Sequence, residues 1–193
     1  VTISGSGIEW HDLASYFRPD GLRKFTINGD NELVFRKPGK LFDAVIMMDC
    51  SQCPIHPQLK DDFPAYIKKQ IDTVVSNGAR PILFMSWAYE DKPEMMAQLA
   101  EQYTIAGNAN DALVIPAGIA FARAIATRPD IGLYQQDKRH PSMRGTYLAA
   151  CTVYAATTRM SPVGLAYTAG IDPAIARFLQ TIAWETVQVF YAR

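Results

Sequence analysis

Apolar positions along the chain fall into two kinds of pattern. Ala44-Val45-Ile46-Met47-Met48, Pro81-Ile82-Leu83-Phe84-Met85 and Ala112-Leu113-Val114-Ile115 are short continuous runs. Runs of this kind predict strands buried on both faces, as in a parallel sheet. Between and after them the spacing changes to a helical period. Over 61–77, Phe63, Ile67, Ile71, Val74 and Val75 share one helix face, and Gly78 supplies a stop. Asp91, with Pro93 and Glu94 behind it, fits the start of a second helix carrying Met95, Leu99 and Tyr103 to about Gly107. Helices are also predicted over 117–127, 142–158 and 173–191, with Ser142 as an N-cap.

The first 41 residues are less regular. Val1 to Ile3 reads as a strand running into the turn Ser4-Gly5-Ser6-Gly7, followed by a helix over 9–17. Phe25-Thr26-Ile27 and Leu33-Val34-Phe35 predict a small hairpin around Gly29-Asp30. Buried strands alternating with amphipathic helices predict an α/β fold with helices on both faces of a short parallel sheet. Ligands in such sheets bind at the carboxyl ends of the strands. The informative stretches are therefore Ser4 to Gly7, Asp49 to Cys53, Ser86 to Tyr89 and Pro116 to Gly118.

Composition narrows the function classes. The chain has 193 residues, enough for one domain with a substantial core. Lys plus Arg and Asp plus Glu number 19 each, giving no net charge and no electrostatic support for a nucleic-acid or anionic-membrane partner. No apolar run approaches the ~18 residues of a membrane span. Three cysteines make no disulfide framework.

Candidate chemistry concentrates in two stretches. In "LYQQDKRHPSMRGTYLAAC", Asp137 and His140 stand three apart in a loop before an apolar helix. The carboxylate can fix the imidazole tautomer while the imidazole acts as a general base. A solvated Asp and His before a helix cap is the plainer alternative. In "FDAVIMMDCSQCPIHP", a buried strand stops at Asp49 and a C-x-x-C follows. Pro54 and Pro57 postpone the next helix, so its dipole is not expected to activate Cys50 as a redox thiol. Cys50, Cys53 and His56 offer three metal ligands with no second pair, short of the usual four for zinc. Both cysteines are expected to be redox-silent thiols, with a thiol oxidoreductase kept as an alternative. Cys151 is expected in the core, Trp87 in the core or beside the site with Ser86, and His11 in a structural role.

"DKRHPSMRGTYLAACTVYAATTRMSP" resembles the closing motif of the SGNH/GDSL hydrolases, Asp-x-x-His followed by a helix. "FDAVIMMDCSQCP", "GARPILFMSWAYEDKPEMMAQLAEQY" and "VIPAGIAFARA" resemble strand and helix units of a divergent branch, so that together the likeness covers most of 42–162. The resemblance implies a three-layer α/β/α sandwich of the SGNH or flavodoxin-like kind. It implies hydrolysis of acetyl or acyl esters, carbohydrate esters among them, with no cofactor or metal, and slightly favours an extracytoplasmic setting. It implies His140 as base, Asp137 as its orienting partner, and a serine nucleophile from a Gly-Asp-Ser-like segment. No such segment occurs. Either "ISGSG" matches the family's second strand and glycine turn, or it is a degenerate first motif with Ser6 near the nucleophile's place. The first placement is preferred. It makes Gly5 and Gly7 amide donors to an oxyanion, with Ser51 or Gln52 as a side-chain donor. It also implies one N-terminally incomplete domain over 1–193, whose first strand comes from residues outside the sequence or from a partner chain. The main alternative keeps the fold without catalysis, as a carbohydrate- or partner-binding domain.

Overall fold

The structure is a computed structural model and describes residues 6–18, 25–35 and 42–192. A hairpin pairs β1 (Phe25–Ile27) with β2 (Leu33–Phe35) in antiparallel register, Thr26 opposite Val34. A separate parallel sheet holds β3 (Ala44–Met47), β4 (Arg80–Phe84) and β5 (Leu113–Ile115), in the order β3-β4-β5. The helices are α1 (Leu13–Phe17), α2 (Phe63–Ser76), α3 (Met95–Ala109), α4 (Ala117–Thr127), α5 (Met143–Thr158) and α6 (Pro173–Tyr191). The α/β expectation holds, with helical layers on opposite faces of a short parallel sheet. The expected strand at Val1 to Ile3 lies outside the described residues. Among the described residues, no helix is long and apolar enough to cross a membrane.

Strand alternation divides the core. Met47, Leu83, Met85 and Val114 pack with Phe63, Ile67, Ile71 and Val74 of α2 and with Leu99 and Tyr103 of α3. Their neighbours Ile82 and Ile115 point the other way, to Ala155 and Ala156 of α5 and Val187 of α6. A further cluster joins α4, α5 and α6 through Phe121, Leu148, Leu179 and Ala183.

Local sequence explains the element ends. After α2 the chain turns left-handed at Gly78 (φ 72°), and Ala79 N–H reaches Val74 O while Gly78 N–H reaches Val75 O. This paired closure is why a glycine ends that helix. Asp172 caps α6 by accepting from the amides of Ala174 and Ile175, and Ser142 caps α5 by accepting from Gly145. α4 begins so close to β4 that Gly118 N–H donates to Met85 O at 3.0 Å. A Cβ on Gly118 would run into Ser86 O, a backbone atom with little freedom to yield. Gly118→Ala is therefore expected to cost about 1–3 kcal/mol, read as a lower urea midpoint.

Two expectations are corrected. The helix over 9–17 is broken: Ile8–Trp10 form a single 3₁₀ turn, and α1 starts only after Asp12, whose carboxylate accepts from Ser15 N–H. β3 is covered on one face rather than two. Met47 is 5% exposed, whereas Ile46 and Met48 are 49% and 50% exposed. Ile46 sits opposite Ile82 in register, yet the α5–α6 layer that covers Ile82 does not extend over it. Ala44 to Met48 instead line a groove of about 300 Å³ with Ile8, His11, Leu13, Tyr16, Phe17 and Phe42.

Candidate functional site

Two clusters form at the carboxyl end of the sheet. The first is built on the loop between β5–α4 and α5. Asp137 Oδ1 accepts from the amides of Arg139 and His140, both at 2.9 Å, and Oδ2 lies 2.5 Å from His140 Nδ1. Lys138 takes a left-handed conformation (φ 61°) to make this tight reversal. Gln135 N–H to His140 O and Ser142 N–H to Leu133 O close its base. The three bonds, with the ring's first among them, pull the Asp137 carboxyl down to about 2. An ionised carboxylate has no proton to give, so Nδ1–H is the donor. The neutral ring then presents the Nε2 lone pair outward, from a side chain 75% exposed.

This loop is docked on the segment that follows β4. The Trp87 indole N–H donates to Arg139 O at 2.9 Å, Glu90 N–H to Lys138 O at 2.9 Å, and Tyr134 O–H to Ala88 O at 2.6 Å. The Arg139 guanidinium sits 4.9 Å from the centre of the Tyr89 ring. Trp87 is half-buried and stacks on Phe121, with ring centres 4.5 Å apart. It thus belongs to both the core and the loop's support.

The second cluster surrounds Asp49. Its side chain is 3% exposed, and Oδ1 accepts from Ile8 N–H at 2.8 Å and from Cys50 N–H at 2.7 Å. Asp49 N–H in turn donates to the Tyr103 hydroxyl at 3.2 Å. Burial pushes the Asp49 carboxyl up, opposed by the two amides and reinforced by Glu9. Gln70 of α2 donates to His11 O at 2.7 Å and holds the same N-terminal segment from the other side. Ser86 Oγ is buried nearby without a partner of good geometry, although the Tyr103 hydroxyl is close enough for its proton affinity to register the serine.

The expected site residues divide between these clusters. Asp137 and His140 meet each other. Gly7 is buried beside Ile8, and Gly7 and Ser6 are brought to the end of β3 through the Ile8–Asp49 bond. Ser51 is exposed and Gln52 half-buried in the same loop. Among the described residues, no hydrogen bond joins His140 to Ser51 or Gln52. Gly5 lies outside the described residues.

One arrangement leaves no sign in the sequence, and another differs from its expectation. The Ser6 hydroxyl and His11 Nε2 lie 3.2 Å apart, and His11 Nδ1 lies 3.2 Å from the Tyr16 hydroxyl. A single histidine followed by a helix carried no sign of this, because the contacts depend on the break between the 3₁₀ turn and α1. Cys50 and Cys53 are joined by a disulfide, not free. A 3₁₀ turn starts at Cys53 itself, far ahead of α2, and its first amide donates to Cys50 Sγ at 3.0 Å. The prolines delay the long helix without removing this local donor. A carboxylate oxygen of Asp49 lies within 4.8 Å of both sulfurs. With the sulfurs bonded to each other, the group does not act as a ligand set.

A concavity larger than the groove along β3 lies elsewhere, at the opposite end of the strands, among Asp43, Arg80, Pro81, Asp111 and Tyr191. Neither Asp137 nor His140 belongs to its lining. In an open α/β sheet the carboxyl end is the binding end, and we assign the candidate site by its chemistry rather than by size.

No protein-family model matches the chain, and no curated protein matches it. Among solved structures, a DUF4886 family protein from Bacteroides uniformis superposes with a TM-score of 0.70 at 19% identity, over 85% of this chain and 72% of its own. A protein of Slackia heliotrinireducens, described as a candidate SGNH hydrolase, superposes with a TM-score of 0.52 at 22% identity, over 59% of this chain and 65% of its own. At these identities the likeness is one of fold, and the chain has a distant SGNH-like α/β fold.

Proposed function

We propose that the chain hydrolyses acetyl or acyl esters, carried on small molecules or carbohydrates, by acyl transfer through a serine. The observation that carries this reading is the Asp137–His140 pair at the carboxyl end of the sheet, with Nε2 left to take a proton. Asp137 holds the tautomer and stabilises the imidazolium that forms when His140 accepts the nucleophile's proton. In this reading Gly7, with Gly5 two residues before it, and Ser51 or Gln52 would supply the amide or side-chain donors to a developing oxyanion. Ser6 is our candidate nucleophile. It is half-buried, and the imidazole within reach of its hydroxyl is His11, so in this reading Ser6 must also come within reach of His140 Nε2. A fluorophosphonate probe tests both parts: it should label one serine in native protein, and peptide mass mapping should place the label on Ser6. Absence of labelling together with absence of p-nitrophenyl acetate turnover overturns the hydrolase reading.

A second reading, a binding domain of the same fold, is favoured by the openness of the His140 side chain. Neither concavity described above is lined by His140 or Asp137. Retained binding of an acetylated sugar by an inert protein would support it, measured by calorimetry.

A further inference from the structure

The Cys50–Cys53 bridge differs from a buried structural staple in how its two sulfurs are placed. Cys50 is half-buried, whereas Cys53 is 7% exposed. Cys50 is therefore the more accessible end of the bridge for an incoming thiolate. The accessible sulfur already receives an amide hydrogen bond, Cys53 N–H to Cys50 Sγ at 3.0 Å. The same amide is within 3.3 Å of Cys50 O, so the backbone of the turn holds it in place. A donor fixed on a sulfur stabilises that sulfur as a thiolate. A carboxyl oxygen of Asp49 lies within 4.8 Å of both sulfurs, so it is also within reach of the buried one.

We propose that Cys50–Cys53 is an exchangeable disulfide that takes two electrons from an external dithiol, with Cys50 the sulfur attacked and Asp49 the proton donor to Cys53. One thiolate of the dithiol attacks Cys50 Sγ. The S–S bond breaks, its electron pair leaves on Cys53 Sγ, and that sulfur takes the proton of the Asp49 carboxyl. The second thiolate of the dithiol then attacks its own sulfur in the mixed disulfide. Cys50 is released as a thiolate onto the Cys53 amide. The dithiol ends as a cyclic disulfide, the protein as one thiolate and one thiol, and Asp49 regains a proton from solvent.

Burial raises the proton affinity of Asp49 against the Ile8 and Cys50 amides, which lower it, and the net direction is upward. The groups facing it are the Ile8 and Cys50 amides, Glu9 of the N-terminal segment, Tyr103 of α3 and, beyond Tyr103, Ser86 after β4. Glu9 is the charged group among them, and it acts in the same direction as burial. The inference rests on the bridge and its neighbours and does not depend on ester hydrolysis.

The test is reduction of the native protein by dithiothreitol at about pH 7, followed by alkylation and intact mass. Two alkyl groups should be gained, on Cys50 and Cys53, and lost again after prior reoxidation with oxidised glutathione. Cys151 serves as an internal control. It is 4% exposed, and burial pushes its thiol up to about 11, so it should stay unlabelled. A bridge that opens only in denaturant overturns the proposal. Cys53→Ser should form a mixed disulfide with oxidised glutathione about tenfold or more faster than Cys50→Ser; equal rates overturn the assignment of Cys50. Asp49→Asn keeps an acceptor for both amides, and should slow reduction and flatten its pH profile. An unchanged profile in a folded variant removes Asp49 from the step, while the wild-type result stands by itself.

Discussion

His140→Ala lowers p-nitrophenyl acetate turnover by about 10²–10⁴-fold in kcat, with KM little changed. The size follows from losing the only imidazole whose second nitrogen is held by a carboxylate among the described residues. The side chain is 75% exposed and, among the described residues, its ring is bound to Asp137 alone, so the fold should lose little. A melting curve close to wild type would show this. Asp137→Asn should fall in the same range, because the amide no longer dictates which ring nitrogen carries the proton. Asp137 itself does not set the acid limb of the pH profile. Its carboxyl is pulled down to about 2, so it stays ionised throughout the working range. Any stability it adds is present above the ordinary carboxylate range and fades as pH falls toward that value. Because the pair is in contact with water, this contribution is small. Turnover that survives His140→Ala at wild-type kcat would remove the pair from the chemistry.

Tyr103→Ala is the substitution expected to destabilise most, by about 3–5 kcal/mol, against a typical total of about 5–15 kcal/mol. The ring is fully buried and meets Phe63 edge to face at 5.3 Å. Its hydroxyl is the acceptor for Asp49 N–H, at the point where β3 turns into the cysteine loop. Burial raises the phenol well above its ordinary range, so it stays neutral and keeps its lone pairs for this bond. Tyr103→Phe separates the two losses. It retains the packing and leaves one buried amide without its acceptor, for about 1–3 kcal/mol. Urea unfolding of both variants should give the alanine the larger shift. Equal shifts would mean that the hydroxyl, not the ring, carries the stability.

The parts of the fold readable from sequence are those where one period dominates. α4 and α6 match their expected spans of 117–127 and 173–191, and the runs at Ala44, Pro81 and Ala112 became β3, β4 and β5 within a residue or two at each end. Asp91 and Glu94 were less informative. α3 begins at Met95, because the preceding residues make a turn bridged by Tyr89 and Lys92. A continuous apolar run tells which residues suit a buried strand, not how far a helical layer extends. Hence Ile46 was expected under cover and is half exposed. The Asp137–His140 spacing was legible because two residues three apart in one tight loop meet locally. Ser6, His11 and Tyr16 were not, since their contact needs a helix to break where neither glycine nor proline marks the place. Asp49 was visible as the charge ending an apolar strand, but its amide partner Ile8 lies 41 residues away. Contacts at such separation leave no local periodicity to read.

The one-sided pairing of β3 also sets a timetable for deuterium uptake. β4 has a strand on each flank, so its amides should exchange only through openings that disrupt the sheet as a whole. Among the described residues, β3 is paired along β4 alone. Its amides on the edge away from β4 have no ladder to break, among the described residues, before they meet solvent deuterons. The strand should therefore label in alternation, every second amide quickly and its neighbours slowly, a two-residue rhythm that records the pleat itself.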